Sequence, residues 1–196
     1  MKRASLPWAL LAVALTCAAH ADVPKGWFLT GSAPADYDVG TEAGTRRPGD
    51  RNAFIRAKSG LPEAEKKDEQ RRFGSLAQAV DAAAYRGQRV RVSGFLRTRE
   101  ADRADMWLRI DDRNERVLAF VNTSARELGG TRDWQRCDLV VDVPEAAHYV
   151  MFGFLLSGKG EVWADDFRLE KVGKDVPLTE MPRRYPSEPV NLDFSQ

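Results

Sequence analysis

Cysteine and histidine are scarce in this chain: its 196 residues hold two of each. Cys17 and His20 fall within the first 21 residues, which leaves Cys137 and His148 for the body. A lone cysteine excludes an internal disulfide and a multi-thiolate zinc centre, and its strand-like surroundings suit an inert buried thiol. One imidazole leaves little for a triad or a histidine-based metal site. Surplus charge is missing as well. Lys and Arg total 30 against 29 Asp and Glu, a net +1, which excludes a polybasic nucleic-acid binder and a polyacidic tail. No helix-turn-helix pattern is visible. What is present is the composition of a folded domain, 43% hydrophobic and 30% charged. A chain of this length buries roughly 70% of its unfolded surface and needs no metal or disulfide to fold.

The N-terminus reads as an export signal. Lys2 and Arg3 precede a stretch from Leu6 to Cys17 that is apolar except for Thr16, and Ala19-His20-Ala21 supplies a small-x-small cleavage pattern. The apolar stretch is too short to anchor across a bilayer core of roughly 30 Å. Residues 1–21 are therefore expected to be a signal peptide, with the mature chain starting at Asp22 and holding no membrane anchor. A disulfide-free chain exported in this way fits the bacterial periplasm or exterior.

Beyond the leader, short β-rich runs alternate with Gly, Pro, Asp and Asn. Strands are expected over Gly26–Thr30, Ala53–Lys58, Arg89–Arg97, Met106–Asp111, Val117–Asn122, Arg136–Val143, Tyr149–Ser157 and Glu161–Glu170. Met106, Leu108 and Ile110 oppose Trp107, Arg109 and Asp111, and Val90, Val92 and Leu96 oppose Arg89, Arg91 and Arg97. Such period-two alternation puts one face on a core and one toward solvent, the mark of antiparallel sheets in an all-β sandwich. The domain spans 22–176, with a charged insert at about 61–72 (LPEAEKKDEQRR). Residues 177–196 form an extended tail, because Pro177, Pro182, Pro186 and Pro189 exclude helix and central strand.

No G-x-S-x-G elbow, H-E-x-x-H, paired C-x-x-C or P-loop occurs. The acid pairs Asp111-Asp112 and Asp165-Asp166 are strand neighbours whose side chains should point to opposite faces, whereas glycoside hydrolysis needs two carboxyls across one cleft. The pattern gives no support for an enzyme. It does offer an aromatic and polar surface, since Trp107 shares a face with Arg109 and Asp111. A flat ring beside such groups suits a sugar, whose C–H face stacks and whose hydroxyls need donors and acceptors. The alternative is that Trp107 lies beneath a crossing loop or the proline tail.

The segments GWFLTGSAPADYDVG, FGSLAQAVDAAAYRGQRVRVSGFLRT, MWLRIDD, LAFVN and the stretch from Gly129 to Pro177 together resemble a bacterial module. It is found alone behind signal peptides, or joined to AraC-type regulators and secreted peptidases. In pattern it is similar to the galactose-binding-like jelly rolls, which include many carbohydrate-binding modules. The resemblance implies that Phe73–Ala79, which propensity alone would make helical, is a strand carrying Gln78. It implies a ligand face with Trp107, Arg109 and Asn122, and Gln78 as a neighbour. The usual Asp-Asn-Met after the LAF strand is here Val121-Asn122-Thr123, which removes one acid. Related jelly rolls hold a structural calcium with an Asp of the closing strand, matched here by Asp165 or Asp166. The partnering first-strand Glu has no counterpart after Asp22, so neither calcium nor another cofactor is expected. Asn191-Leu192-Asp193-Phe194 resembles that missing first strand, and a strand over 190–194 is expected to dock beside Gly26–Thr30.

Three functional classes follow. The chain is a non-catalytic binding module for a saccharide or similar small polar ligand outside the cytoplasm, a structural or protein-interaction domain of the cell envelope, or an effector-sensing domain related to those fused to transcriptional regulators. DNA binding is unsupported.

Overall fold

A computed structural model describes residues 23–46, 49–60, 72–126, 128–181 and 191–192. The expected signal peptide, the charged insert up to residue 71 and most of the expected 190–194 strand lie outside these residues. The described strands are β1 (Phe28–Thr30), β2 (Tyr37–Ala43), β3 (Arg51–Ala57), β4 (Phe73–Asp81), β5 (Arg89–Asp111), β6 (Val117–Asn122), β7 (Leu128–Asp142), β8 (Tyr149–Ser157) and β9 (Glu161–Val172). Every pairing is antiparallel.

The 23-residue β5 organises the molecule. Its first half pairs with β7 and β9, and its second half with β6 and β8. Two sheets result. One runs β1-β4-β8-β5-β6 and the other β2-β3-β9-β5-β7. The sequence pattern divides β5 in two because the joint, R-E-A-D-R-A-D, is charged, yet the backbone stays extended. Glu100 turns the corner with φ of 49°, and the β7 register shifts on either side of Ala101. Gly160 packs against this corner with φ of 92°, and a Cβ there would collide with the Glu100 carbonyl. The all-β antiparallel sandwich expected from the sequence is the observed fold. Phe73–Asp81 is a strand, so β4 packing overrides its helix propensity. Strand β2 has no counterpart in the sequence reading, since YDVGTEA lacks an aliphatic run.

The core lies between the sheets. Leu76, Val90, Val92, Met106, Leu108, Ile110, Leu139, Phe154 and Leu156 are fully buried in it. Trp27 closes one side, meeting Phe152 edge-on at 6.0 Å and Phe167 at 5.5 Å between centroids. Cys137 is buried on the same face as Leu139, and burial pushes its thiol up to about 11, so the thiolate needed for reaction is scarce at neutral pH.

The start of the tail is tied down along β7 rather than β1. Thr179 donates its N–H to the Val140 carbonyl at 2.9 Å, and its Oγ1 accepts from the Val140 N–H at 2.8 Å. These bonds occupy the free side of an edge strand that would otherwise invite pairing. Arg89 anchors the approach, donating to the Lys174 and Val176 carbonyls while its Nε and Nη2 meet both Asp142 oxygens at 2.9 and 3.0 Å. Of the expected docking strand, only Asn191 and Leu192 are described. Leu192 is 76% exposed and lies in no strand, so it does not supply the buried edge contact expected of it.

Asp142 titrates with this anchor. Hydrogen bonds from Arg89 and then Lys174 hold its carboxyl well below the usual carboxylate range. A depressed folded pKa means the stabilisation is complete above the unfolded value and is lost as pH falls through the folded one. Hydrogen-exchange protection of Val140 should therefore weaken on acidification below the ordinary carboxylate range. In Asp142→Asn the protection should already be low at neutral pH and vary little with acid. Equal protection in both proteins at every pH would contradict this account of the anchor.

Candidate functional site

The alternation of β5 fixes the site's floor. With Met106, Leu108 and Ile110 in the core, Asp105, Trp107, Arg109 and Asp111 point to the outer face of the β1-β4-β8-β5-β6 sheet. The register then sets their neighbours. Trp107 lies between Asn122 of β6 and Gly153 of β8, Arg109 between Phe120 and Met151, and Asp111 between Val117 and Tyr149. One strand further, Ala77 and Ala79 of β4 extend the same rows. The strip is small and flat in the middle and carries side chains along both sides.

Trp107 belongs to the floor and is only 8% exposed. Gly153 leaves room for the indole to reach over β8, and its Nε1 donates to Ser75 Oγ at 2.9 Å. The Ser75 hydroxyl in turn donates to the Phe154 carbonyl at 2.8 Å. The indole N–H is therefore spent inside the protein, and the ring offers almost no free surface. Of the two alternatives left by the sequence, this is the covered one.

Arg109 and Asp111 form the polar centre. Nε and Nη2 of Arg109 meet Asp111 Oδ2 at 3.0 and 2.7 Å, and Nη2 also contacts Met151 Sδ at 3.4 Å. Asp111 is 2% exposed, and its Oδ1 has no hydrogen-bond partner among the described residues. A second ion pair, Arg103–Asp105, lies further along the same strand at 2.6 Å. Burial pushes the Asp105 carboxyl above its usual range, against the opposing pull of Arg103.

Exposed apolar side chains surround the Arg109–Asp111 pair. Phe120 is 45% exposed and Tyr149 39%, with Val117 and Leu118 alongside. Neighbouring strands lie about 4.8 Å apart, so Phe120 and Met151 flank Arg109 across roughly 10 Å, about the width of a sugar ring with its substituents. Sequence reasoning passed over Phe120 and Tyr149. The signal was available for Phe120, because the β6 alternation that put Asn122 on this face also puts Phe120 there, two residues earlier.

The remaining sequence-derived residues are placed as follows. Asn122 is on the face, its Oδ1 accepting from the Ser124 N–H at 3.0 Å and its backbone N–H meeting Met181 Sδ at 3.4 Å. Gln78 is not brought together with Trp107. It pairs in register with the core residue Phe152, so it faces the other side of β4, and its Nε2 reaches the Gly26 carbonyl at 3.3 Å. Asp165 and Asp166 do not alternate as strand neighbours should. Asp166 has φ of 55°, and both carboxylates converge on Arg46, at 2.7 and 3.0 Å. Arg168 takes a further Asp166 oxygen. Two guanidinium groups thus pair with three of the four oxygens of these carboxylates. His148 donates its backbone N–H to the Asp111 carbonyl, and its ring meets Tyr149 at 4.5 Å.

The outer face of the opposite sheet is built differently. Trp163 and Phe54 are nearly buried, with the Arg97 and Arg99 guanidinium groups 5.1 and 5.3 Å from the Trp163 ring and Arg56 at 4.8 Å from Phe54. Trp163 Nε1 donates to Glu42 at 2.6 Å. Arginines cover the aromatic surface there. The face carrying Arg109 is the one with open rings.

No family model matches the chain. The uncharacterized HTH-type transcriptional regulator YbfP of Bacillus subtilis (strain 168) is similar, 35% identical over 175 residues that make up 88% of this chain and 57% of the relative. The chain thus spans little more than half of that protein's length. Among solved structures, the enzymatically active domain of bacteriophage CBA120 tailspike protein 4 superposes with a TM-score of 0.57 at 12% identity, over 76% of this chain and 20% of that one. The CBM22-1 xylan-binding domain of Xyn10C from Paenibacillus barcinonensis gives 0.50 at 12% identity, over 78% of this chain and 90% of that domain. At these identities the likeness is one of fold, a jelly-roll sandwich.

Proposed function

We propose that this chain is a non-catalytic binding module that works outside the cytoplasm and takes a saccharide or similar small polar ligand on the outer face of the β1-β4-β8-β5-β6 sheet. The observation that carries the reading is the centre of that face. The Arg109 guanidinium, about one-third exposed, is held in place by the buried Asp111 carboxylate, and the exposed rings of Phe120 and Tyr149 flank the pair. Rings for stacking beside a fixed hydrogen-bond donor are what a sugar requires. The likeness in fold to a xylan-binding domain supports the reading without specifying a ligand. Among the described residues no group of three or more His, Cys, Asp and Glu side chains could hold a metal ion.

A glycan-array screen of the mature chain tests this. Binding to one or more saccharides is the expected result. Silence across the array, with stable capture of an envelope protein, would favour the interaction-domain reading instead. Similarity to a regulator supports a second reading, in which the same face senses a small effector. Location is part of the proposal: N-terminal sequencing of envelope material should begin at Asp22, and full-length protein retained in the cytoplasm would refute export.

A further inference from the structure

Resting on that reading of the site, we infer that the ligand is an acidic saccharide whose carboxylate docks on the Arg109 guanidinium, between Phe120 and Met151. The centre of the face presents hydrogen-bond donors. Asp105, Asp111 and Ser75 are buried, so their oxygens are not offered to a ligand. Arg109 is the accessible group. Its Nε and Nη2 donate to Asp111 Oδ2 and Nη2 touches the weakly accepting Met151 Sδ, while Nη1 makes no hydrogen bond among the described residues. Asn122, diagonal to Arg109 in the register, spends its Oδ1 on the Ser124 N–H, which leaves the amide N–H₂ to offer. A guanidinium cannot accept, so a sugar hydroxyl uses only its accepting half there. A carboxylate only accepts, and its two oxygens match the planar fork. Asp111 does not cancel the attraction. A carboxylate on the Nη1 end lies across the guanidinium from Asp111, about twice as far from that like charge as from the cation, and Coulomb energy falls inversely with distance. The other charges of the face stand off. Arg103 is paired with Asp105. Asp81 lies two strands away on β4, roughly 10 Å at the usual strand spacing, with Oδ1 accepting from the Ala83 N–H. In the β5–β6 turn, Arg113 and Arg116 balance Asp112 and Glu115.

The test is calorimetry with matched ligands: glucose- and galactose-terminated chains, the same chains ending in glucuronate and galacturonate, and the methyl esters of those two acids. Wild-type protein should bind at least one acid about tenfold more tightly than its neutral counterpart, the scale on which charge-assisted hydrogen bonds exceed neutral ones. Esterification keeps the carbonyl and removes the charge, so it should return the affinity to the neutral level. Added NaCl should lower the acid-to-neutral ratio, because the pair is partly exposed. In Asp111→Asn the amide carbonyl retains Arg109 and the competing charge is gone, so the ratio should rise. Arg109→Gln should abolish it. The ester comparison uses unaltered protein, so a misfolded variant would not shield the proposal. Equal or weaker binding of both acids by wild-type protein overturns the inference and leaves the saccharide reading standing, as does an ester that binds as tightly as its free acid. Absence of binding to every one of these ligands overturns the saccharide reading itself, and this inference with it.

Discussion

Trp107→Ala should cost about 3–5 kcal/mol of unfolding free energy, the range for removing a buried tryptophan. The indole is nearly buried, fills the space over Gly153 and satisfies Ser75 Oγ, so truncation loses packing and leaves a hole that backbone on three strands cannot readily close. In a domain whose net stability is of order 5–15 kcal/mol, that is a large fraction. Trp107→Phe separates the two contributions. It keeps most of the apolar contact and loses the hydrogen bond to Ser75, worth about 1 kcal/mol, while Ser75 retains its bond to the Phe154 carbonyl. Urea denaturation of the three proteins measures both. Trp107→Ala with an unchanged midpoint and a lost ligand affinity would show instead that the ring is an open stacking surface.

Phe120→Ala and Tyr149→Ala should behave in the opposite way. Both rings are well exposed, and surface truncations away from packing usually change stability by no more than about 0.5 kcal/mol. Against the tightest saccharide found on the array, each should weaken binding by about tenfold or more. Stacking contributes roughly 0.5–1.5 kcal/mol beyond the area it covers, and the covered area brings the total to about the 1.4 kcal/mol of a tenfold change. Titration calorimetry reads the affinity and thermal denaturation the stability. Arg136→Ala, on the opposite sheet and paired with Asp138, serves as the control and should leave binding unchanged. Reduced affinity in Arg136→Ala, with both ring variants binding normally, would move the site to the other face.

The sequence shows the architecture wherever one face of a strand is apolar and the other is not. Arg89–Arg97 and Met106–Asp111 fall within the observed β5 because their alternation is strong, and the apolar runs Tyr149–Ser157 and Val117–Asn122 coincide with observed strands. It fails where conformation is decided by contacts distant in sequence. Tyr37–Ala43 becomes a strand only through the β3 register that pairs each of its residues. The charged joint of β5 stays extended because Ala101 and Ala104 are buried at the corner between the sheets. Gln78 faces away from Trp107 through the parity of β4, and Asp166 turns its carboxylate to Arg46 at a positive φ, both set by local backbone detail. Trp107, Arg109 and Asn122 were correctly assigned to one face. The exposure of Trp107 was not legible, because it depends on a glycine in β8 and a serine in β4, each on a different strand.

The most direct measurement is a ¹H–¹⁵N titration of isotope-labelled protein with the best-binding saccharide from the array. The side-chain amide of Asn122, the Nε–H of Arg109 and the backbone amides of Phe120 and Gly153 should shift together and saturate with one affinity, while the Trp163 indole N–H on the opposite sheet stays still. Saturating shifts at Trp163 and its neighbours, with the Arg109 face unmoved, would contradict the assignment of the ligand face.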